Sequence, residues 1–130
     1  MNTNSNKRFL IVEDDPTIRL IHGDLLMEMM PHCDVFEAEN GAHGLCLFFK
    51  NNPDIVFLDM MMPYMDGNSF LDVIEEGINR EMFEKKPRVI VITAIEDVKQ
   101  LISIGKRLAV EAVITKPATQ KQLINILKTS

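Results

Sequence analysis

One pattern limits what this chain can fold into: a short apolar run followed by a longer amphipathic segment, five times over. The runs are Phe9–Val12, Asp34–Ala38, Asp54–Asp59, Arg88–Thr93 and Glu111–Thr115. Four of the five are nearly continuous in apolar residues and rich in Val and Ile. Strands covered on both faces inside a parallel sheet have this composition.

The segments between them have helical spacing. Asp15-Pro16 supplies an N-cap and a first-turn proline, and Ile18, Ile21, Leu25 and Met29 follow at three- and four-residue steps. Asn40-Gly41 opens a second helix, with Ala42, Leu45, Cys46 and Phe49 on one face. Phe70, Leu71, Ile74 and Ile78 mark a third, Val98, Leu101, Ile102 and Leu108 a fourth, and Leu123, Ile126 and Leu127 a fifth. The stretch 75–87 is the least regular and is read as an extension of helix three. The alternation predicts an α/β fold, a (βα)5 doubly wound, flavodoxin-like sandwich with right-handed crossovers. Its five-stranded parallel sheet is expected in the order 2-1-3-4-5. The 130 residues suit one domain, with 1–7 a flexible lead-in and 8–130 the folded unit.

Chemistry collects where the strands end. Strand one runs into Glu13-Asp14-Asp15, strand three into Asp59, strand four into Thr93 and strand five into Lys116-Pro117. In open α/β sheets the ligand crevice lies beyond the carboxyl ends of the strands, where the strand order reverses. With that order, three carboxylates, a hydroxyl and an ammonium converge there, which no packing argument requires. Crowded carboxylates raise one another's pKa unless a cation joins them. Hard oxygen ligands beside a phosphate site favour Mg²⁺. Asp14 and Asp59 are read as direct ligands, Glu13 as a direct or water-mediated one, and the Met61 backbone carbonyl as completing the set. Asp59 is the expected phosphoacceptor: a buried strand holds it, and the loop 60–67 is read as leaving it open to a partner. Aspartyl phosphates are a known class of covalent intermediate. Lys116 is expected to pair with the carboxylates and then with phosphoryl oxygens, and Thr93 to move its hydroxyl toward them.

The strings FLIVEDDPTIR and DIVFLDMMMPYMDG, the Thr93-Ala94 pair and the Thr115-Lys116-Pro117 end resemble the receiver domain of two-component response regulators. The likeness runs from about Arg8 to the C-terminus. It implies phosphoryl transfer from a histidine kinase or phosphotransfer protein to Asp59, Mg²⁺ dependence, and self-catalysed loss of the phosphoryl group. The family's acid pair falls on Glu13 and Asp14, its switch hydroxyl on Thr93 and its lysine on Lys116, and it implies a cis Lys116-Pro117 peptide. The chain is then a signalling switch rather than an enzyme, altering a surface of helix four, strand five and helix five for a partner protein or for a homodimer formed on phosphorylation. With no output domain after residue 130, the output is expected to be a protein partner unless the chain is part of something longer. Val113 stands where many receivers carry an aromatic residue, so the signal is expected to travel through the loop after strand four. Met61 and Ile95, which flank the attacking water in this family, are apolar, and slow loss of the phosphoryl group is expected.

Other classes fit less well. A phosphohydrolase of the haloacid dehalogenase type needs a second acid two residues after its aspartate, where this chain has Met61. A flavodoxin-like cofactor site needs a Gly/Ser/Thr-rich cradle after strand one, where Glu13-Asp14-Asp15 would repel phosphate. A phosphate-independent scaffold of receiver shape remains the alternative. The net charge of −5, with the acids spread along the chain, argues mildly against nucleic acid as a direct ligand, since phosphate binding needs a basic face. His22, His32 and His43 lack metal-ligand spacing and are read as surface or partly buried. Cys33 and Cys46 are read as buried reduced thiols. Lys99, Lys106, Arg107, Lys121 and Lys128 are read either as a solvated face or as a place where partners dock. No apolar window has membrane-helix length and no leader is apparent, so a cytoplasmic location is expected.

Overall fold

The computed structural model describes residues 6–128. Five strands and five helices alternate: β1 Arg8–Val12, α1 Pro16–Met29, β2 Asp34–Ala38, α2 Gly41–Asn51, β3 Ile55–Leu58, α3 Gly67–Asn79, β4 Arg88–Thr93, α4 Val98–Gly105, β5 Val110–Thr115 and α5 Gln120–Leu127. The strands form one parallel sheet in the order β2-β1-β3-β4-β5, as expected. Most of the lead-in assigned to 1–7 lies outside the described residues. No described helix is long and apolar enough to cross a membrane.

Alternation within each strand divides the core into two layers. Leu10, Val12, Val56, Leu58, Val89 and Val91 meet Phe48 of α2, Phe70, Leu71 and Ile74 of α3, and Ile104 of α4. Phe9, Ile11, Ile55, Phe57, Ile90, Ile92 and Ile114 meet Leu26 of α1 and Leu123 of α5 on the opposite face. Burying each such large side chain contributes about 1.5–3 kcal/mol. The helices start where cap residues dictate. Asp15 accepts from the amides of Thr17 and Ile18, Asn40 from His43, Asp66 from Ser69 and Asp97 from Gln100, while Thr119 and Gln122 form a capping box.

Several expectations about helix faces need correction. In α2 the buried positions are Gly41, Gly44 and Phe48, whereas Ala42, Cys46 and Phe49 are exposed. A Cβ on Gly44 would sit 3.0 Å from both methyls of Val12, so the helix approaches the sheet through positions with no apolar side chain. Cys46 is therefore an exposed thiol, not a buried one. In α1 the buried residues are His22, Gly23 and Leu26, one step away from the predicted stripe, and Ile21 is exposed. Helix α4 ends at Gly105, before Leu108, and leaves Val98 and Ile102 exposed. Helix α3 stops at Asn79, and 80–87 form a loop rather than a helical extension. Arg107 is not a solvated charge: its guanidinium bonds Glu75 and Asn68, and Glu75 also accepts the Ala109 amide. That network ties the end of α4 to α3.

Candidate functional site

The parallel ladder continues past the strand ends, and this fixes the backbone of the site. The Glu13 amide donates to the Ala38 carbonyl at 3.0 Å, Asp59 to Val12 at 3.0 Å, and Lys116 to Thr93 at 2.9 Å. Glu13, Asp59 and Lys116 are thus each held by the neighbouring strand before their side chains make any contact. The Arg19 guanidinium of α1 adds a 2.7 Å bond to the Glu13 carbonyl, a support that the sequence pattern alone does not single out.

The side chains converge. Glu13, Asp14 and Asp59 each present a carboxylate oxygen, and these oxygens lie within 4.8 Å of one another. Lys116 Nζ donates to both oxygens of Glu13, at 3.0 and 3.2 Å, and to Asp59 Oδ2 at 3.3 Å. The other Asp59 oxygen, Oδ1, accepts the Met61 amide at 3.2 Å. Thr93 is buried, and its Oγ1 accepts the Ile95 amide at 3.2 Å. All five side chains singled out from the sequence lie at one edge of the sheet, and the Lys116-Pro117 peptide is cis.

Burial departs from expectation. The position of Asp59 before a loop suggests an open side chain, yet Asp59 and Glu13 are each only 2% exposed, whereas Asp14 faces solvent. Burial lifts the Glu13 carboxyl to about 7, opposed by the Asp15 amide, aided by the Asp59 charge and opposed again by Lys116. Burial also raises Asp59, against the Met61 amide and Lys116. Desolvation works against the Lys116 ammonium, but Glu13 and Asp59 outweigh it and hold its pKa above the ordinary lysine value. Two buried carboxyls thus share one lysine beside an exposed third. Carboxylate oxygens at this spacing suit a hard divalent cation, which would relieve the repulsion that burial sharpens.

The loop after Asp59 is pinned at both ends. Gly67 donates to the Met60 carbonyl at 3.1 Å and Gly41 to that of Met65 at 3.2 Å. Met60 is buried and Met62 packs on the core, whereas Met61 and Tyr64 are exposed on the rim. A Cβ on Gly67 would lie 2.7 Å from Met60 Cα and 2.9 Å from the Asp59 carbonyl oxygen. Backbone at that distance cannot step aside as a side chain would. Gly67→Ala should therefore cost about 1–3 kcal/mol, read as a lower urea midpoint at unchanged slope. A midpoint equal to that of the unsubstituted protein would show that the loop has another resting position.

Known proteins agree with this architecture. The family model described as "Response regulator receiver domain" matches residues 9–128. The chain is 33% identical over 115 residues to Sporulation initiation phosphotransferase F of Bacillus subtilis, covering 86% of this chain and 83% of that protein. It is 29% identical to "Probable transcriptional regulator ycf27" of Porphyridium aerugineum, over 90% of this chain but 45% of that protein. It thus spans about half the length of the first curated relatives it matches. The N-terminal domain of an uncharacterized protein from Wolinella succinogenes superposes with a TM-score of 0.78 at 32% identity, covering 94% of this chain and 91% of that one.

Proposed function

We propose, from the premise that this chain belongs to the response regulator receiver domain family of two-component signalling, that it is a switch thrown by phosphorylation of Asp59. The observation that carries this reading is the meeting of Glu13, Asp14, Asp59 and Lys116 at one end of the sheet. An Asp59 carboxylate oxygen attacks the phosphorus of a phosphohistidine on a kinase or phosphotransfer protein. The P–N bond breaks, and the imidazole leaves with the electron pair and takes up a proton. Glu13, Asp14, Asp59 and the Met61 carbonyl would hold Mg²⁺, which would supply charge neutralisation for the phosphoryl oxygens. Lys116 follows one of those oxygens, and the Thr93 hydroxyl leaves the Ile95 amide to donate to another.

Movement at Thr93 draws on the loop that leads to α4, whose exposed Val98 and Ile102, with Leu108 beyond its end, offer an apolar face to a partner protein. A homodimer formed on phosphorylation would use the same surface. The acceptor unit is residues 8–130, acting in the cytoplasm. The word phosphotransferase in the name of the Bacillus subtilis relative accords with relayed phosphoryl groups. Neither the phosphate-independent scaffold nor the phosphohydrolase gains support; Met61, two residues after Asp59, supplies no acid.

The test is intact-mass measurement after incubation with acetyl phosphate and Mg²⁺. A gain of one phosphoryl group is expected, and no gain would put the scaffold reading ahead. The adduct should persist for minutes or longer once donor is removed, because the side chains of Met61 and Ile95 have no polar atom to orient water. Decay within seconds would contradict that.

A further inference from the structure

His22 takes no part in the chemistry proposed above, yet it is only 1% exposed, in the middle of α1. An imidazole in a core costs desolvation unless it is given a partner. Here Nε2 accepts the backbone amide of Ala118 at 3.2 Å, across 96 positions of sequence. The ring meets Phe57 edge-on, with centroids 6.4 Å apart. Phe57 lies two residues before Asp59, and Ala118 two residues after Lys116. One side chain therefore touches both segments that carry the Lys116–Asp59 ion pair. Ala118 is itself buried, so its N–H has little access to water if the imidazole is lost. The bond also defines the ring state: Nε2 must keep its lone pair, which puts the proton on Nδ1. Burial, and then the Lys116 charge, hold the His22 pKa below the ordinary imidazole value, which favours that neutral form.

We propose that His22 is a positioning residue, anchoring the Ala118 backbone to α1 and so setting where Lys116 Nζ stands relative to Asp59 and Glu13. The inference rests on the phosphoacceptor role given to Asp59 for its functional consequence, though not for its geometry. An aliphatic side chain would fill the same space on α1 but leave the Ala118 amide without an acceptor, free to draw the Lys116 segment away. A directional bond is what an imidazole adds at this position.

Two substitutions separate filling from anchoring. His22→Leu keeps an apolar body without an acceptor, and His22→Gln keeps a carbonyl oxygen at a reach similar to that of Nε2. Three quantities are measured on each folded variant: hydrogen exchange of the Ala118 amide, the rate at which a small amine-reactive reagent labels Lys116, and the rate of phosphorylation by acetyl phosphate with Mg²⁺. In His22→Leu, exchange and labelling should rise and phosphorylation fall, each by about tenfold. His22→Gln should stay within about threefold of the unsubstituted protein in all three. Should His22→Leu not fold, His22→Asn takes its place, since its amide is too short to reach Ala118. Equal behaviour of the Leu and Gln variants would overturn the proposal, as would unchanged Lys116 labelling in the variant lacking the acceptor. If the unsubstituted protein takes up no phosphoryl group, the phosphoacceptor role of Asp59 fails by itself. The exchange and labelling measurements then still decide whether His22 positions Lys116.

Discussion

Asp59→Asn should take up no phosphoryl group from acetyl phosphate under conditions where the unsubstituted protein gains one, and it should be the more stable of the two at pH 8 without metal. The first half follows from nucleophilicity: the amide has no anionic oxygen to attack phosphorus. The second follows from the burial of the site. Asp59 is 2% exposed and its carboxyl is raised by desolvation in spite of the Met61 amide and Lys116. Ionising it beside Glu13 is therefore costly, and a neutral side chain of the same shape removes that cost. The oxygen of the introduced carboxamide can still accept from the Met61 amide; its NH2 takes the place of Oδ2, gives up the bond from Lys116 and turns to the neighbouring Glu13 carboxylate, while Lys116 keeps both of its bonds to Glu13. A gain on the order of 1 kcal/mol is expected, visible as a higher thermal midpoint in EDTA. A substituted protein that still gains mass would show that another residue accepts the phosphoryl group. Loss of stability would show that the Asp59 charge is structural.

Which parts of this molecule were legible from sequence depends on how local the signal is. The central strands were legible because Ile55–Leu58 and Val89–Ile92 are apolar without interruption, as a sheet covered on both faces demands. The site was legible because its polar residues stand at the ends of those runs, where a parallel sheet must gather them. The buried faces of α3 and α5 were legible too, through Phe70, Leu71, Ile74 and Leu123, but that of α2 was not, because Gly41 and Gly44 are buried yet carry no hydrophobic signal. On α4 the apolar residues Val98 and Ile102 face outward, the reverse of what periodicity assumes. Nothing in the sequence marks His22 as fully buried, because its acceptor role exists only once Ala118 has been brought beside it. The burial of Glu13 and Asp59 was likewise hidden: a strand end marks where an acid is placed, not how deeply.

That depth makes the metal-free protein's stability fall as pH rises through the range from about 4.5 to 7. In the unfolded chain Glu13 releases its proton near 4.5, whereas in the folded protein it holds it to about 7. Between these values the native state binds more protons than the unfolded state, so raising the pH favours unfolding. The upward shift at Asp59 acts in the same direction. Glu111 works oppositely and in another window: its bonds to Arg88 lower its pKa, so its contribution is present above the ordinary glutamate value and fades below it. Metal-free stability should therefore peak at mildly acid pH. Mg²⁺ binds the deprotonated carboxylates and must displace those retained protons. Its stabilising effect should be small at pH 5 and should grow up to about pH 7.5. At a free concentration a hundredfold above its dissociation constant, it should reach about 2.7 kcal/mol. Glu13→Gln should reduce the metal-free slope and shrink the Mg²⁺ increment together, since the Glu13 carboxyl contributes to both. Thermal melts at several pH values, with EDTA and with Mg²⁺, measure each quantity. An increment independent of pH would mean that the ion sits elsewhere, and a metal-free midpoint that climbs steadily from pH 5 to 8 would mean that Glu13 is ionised throughout.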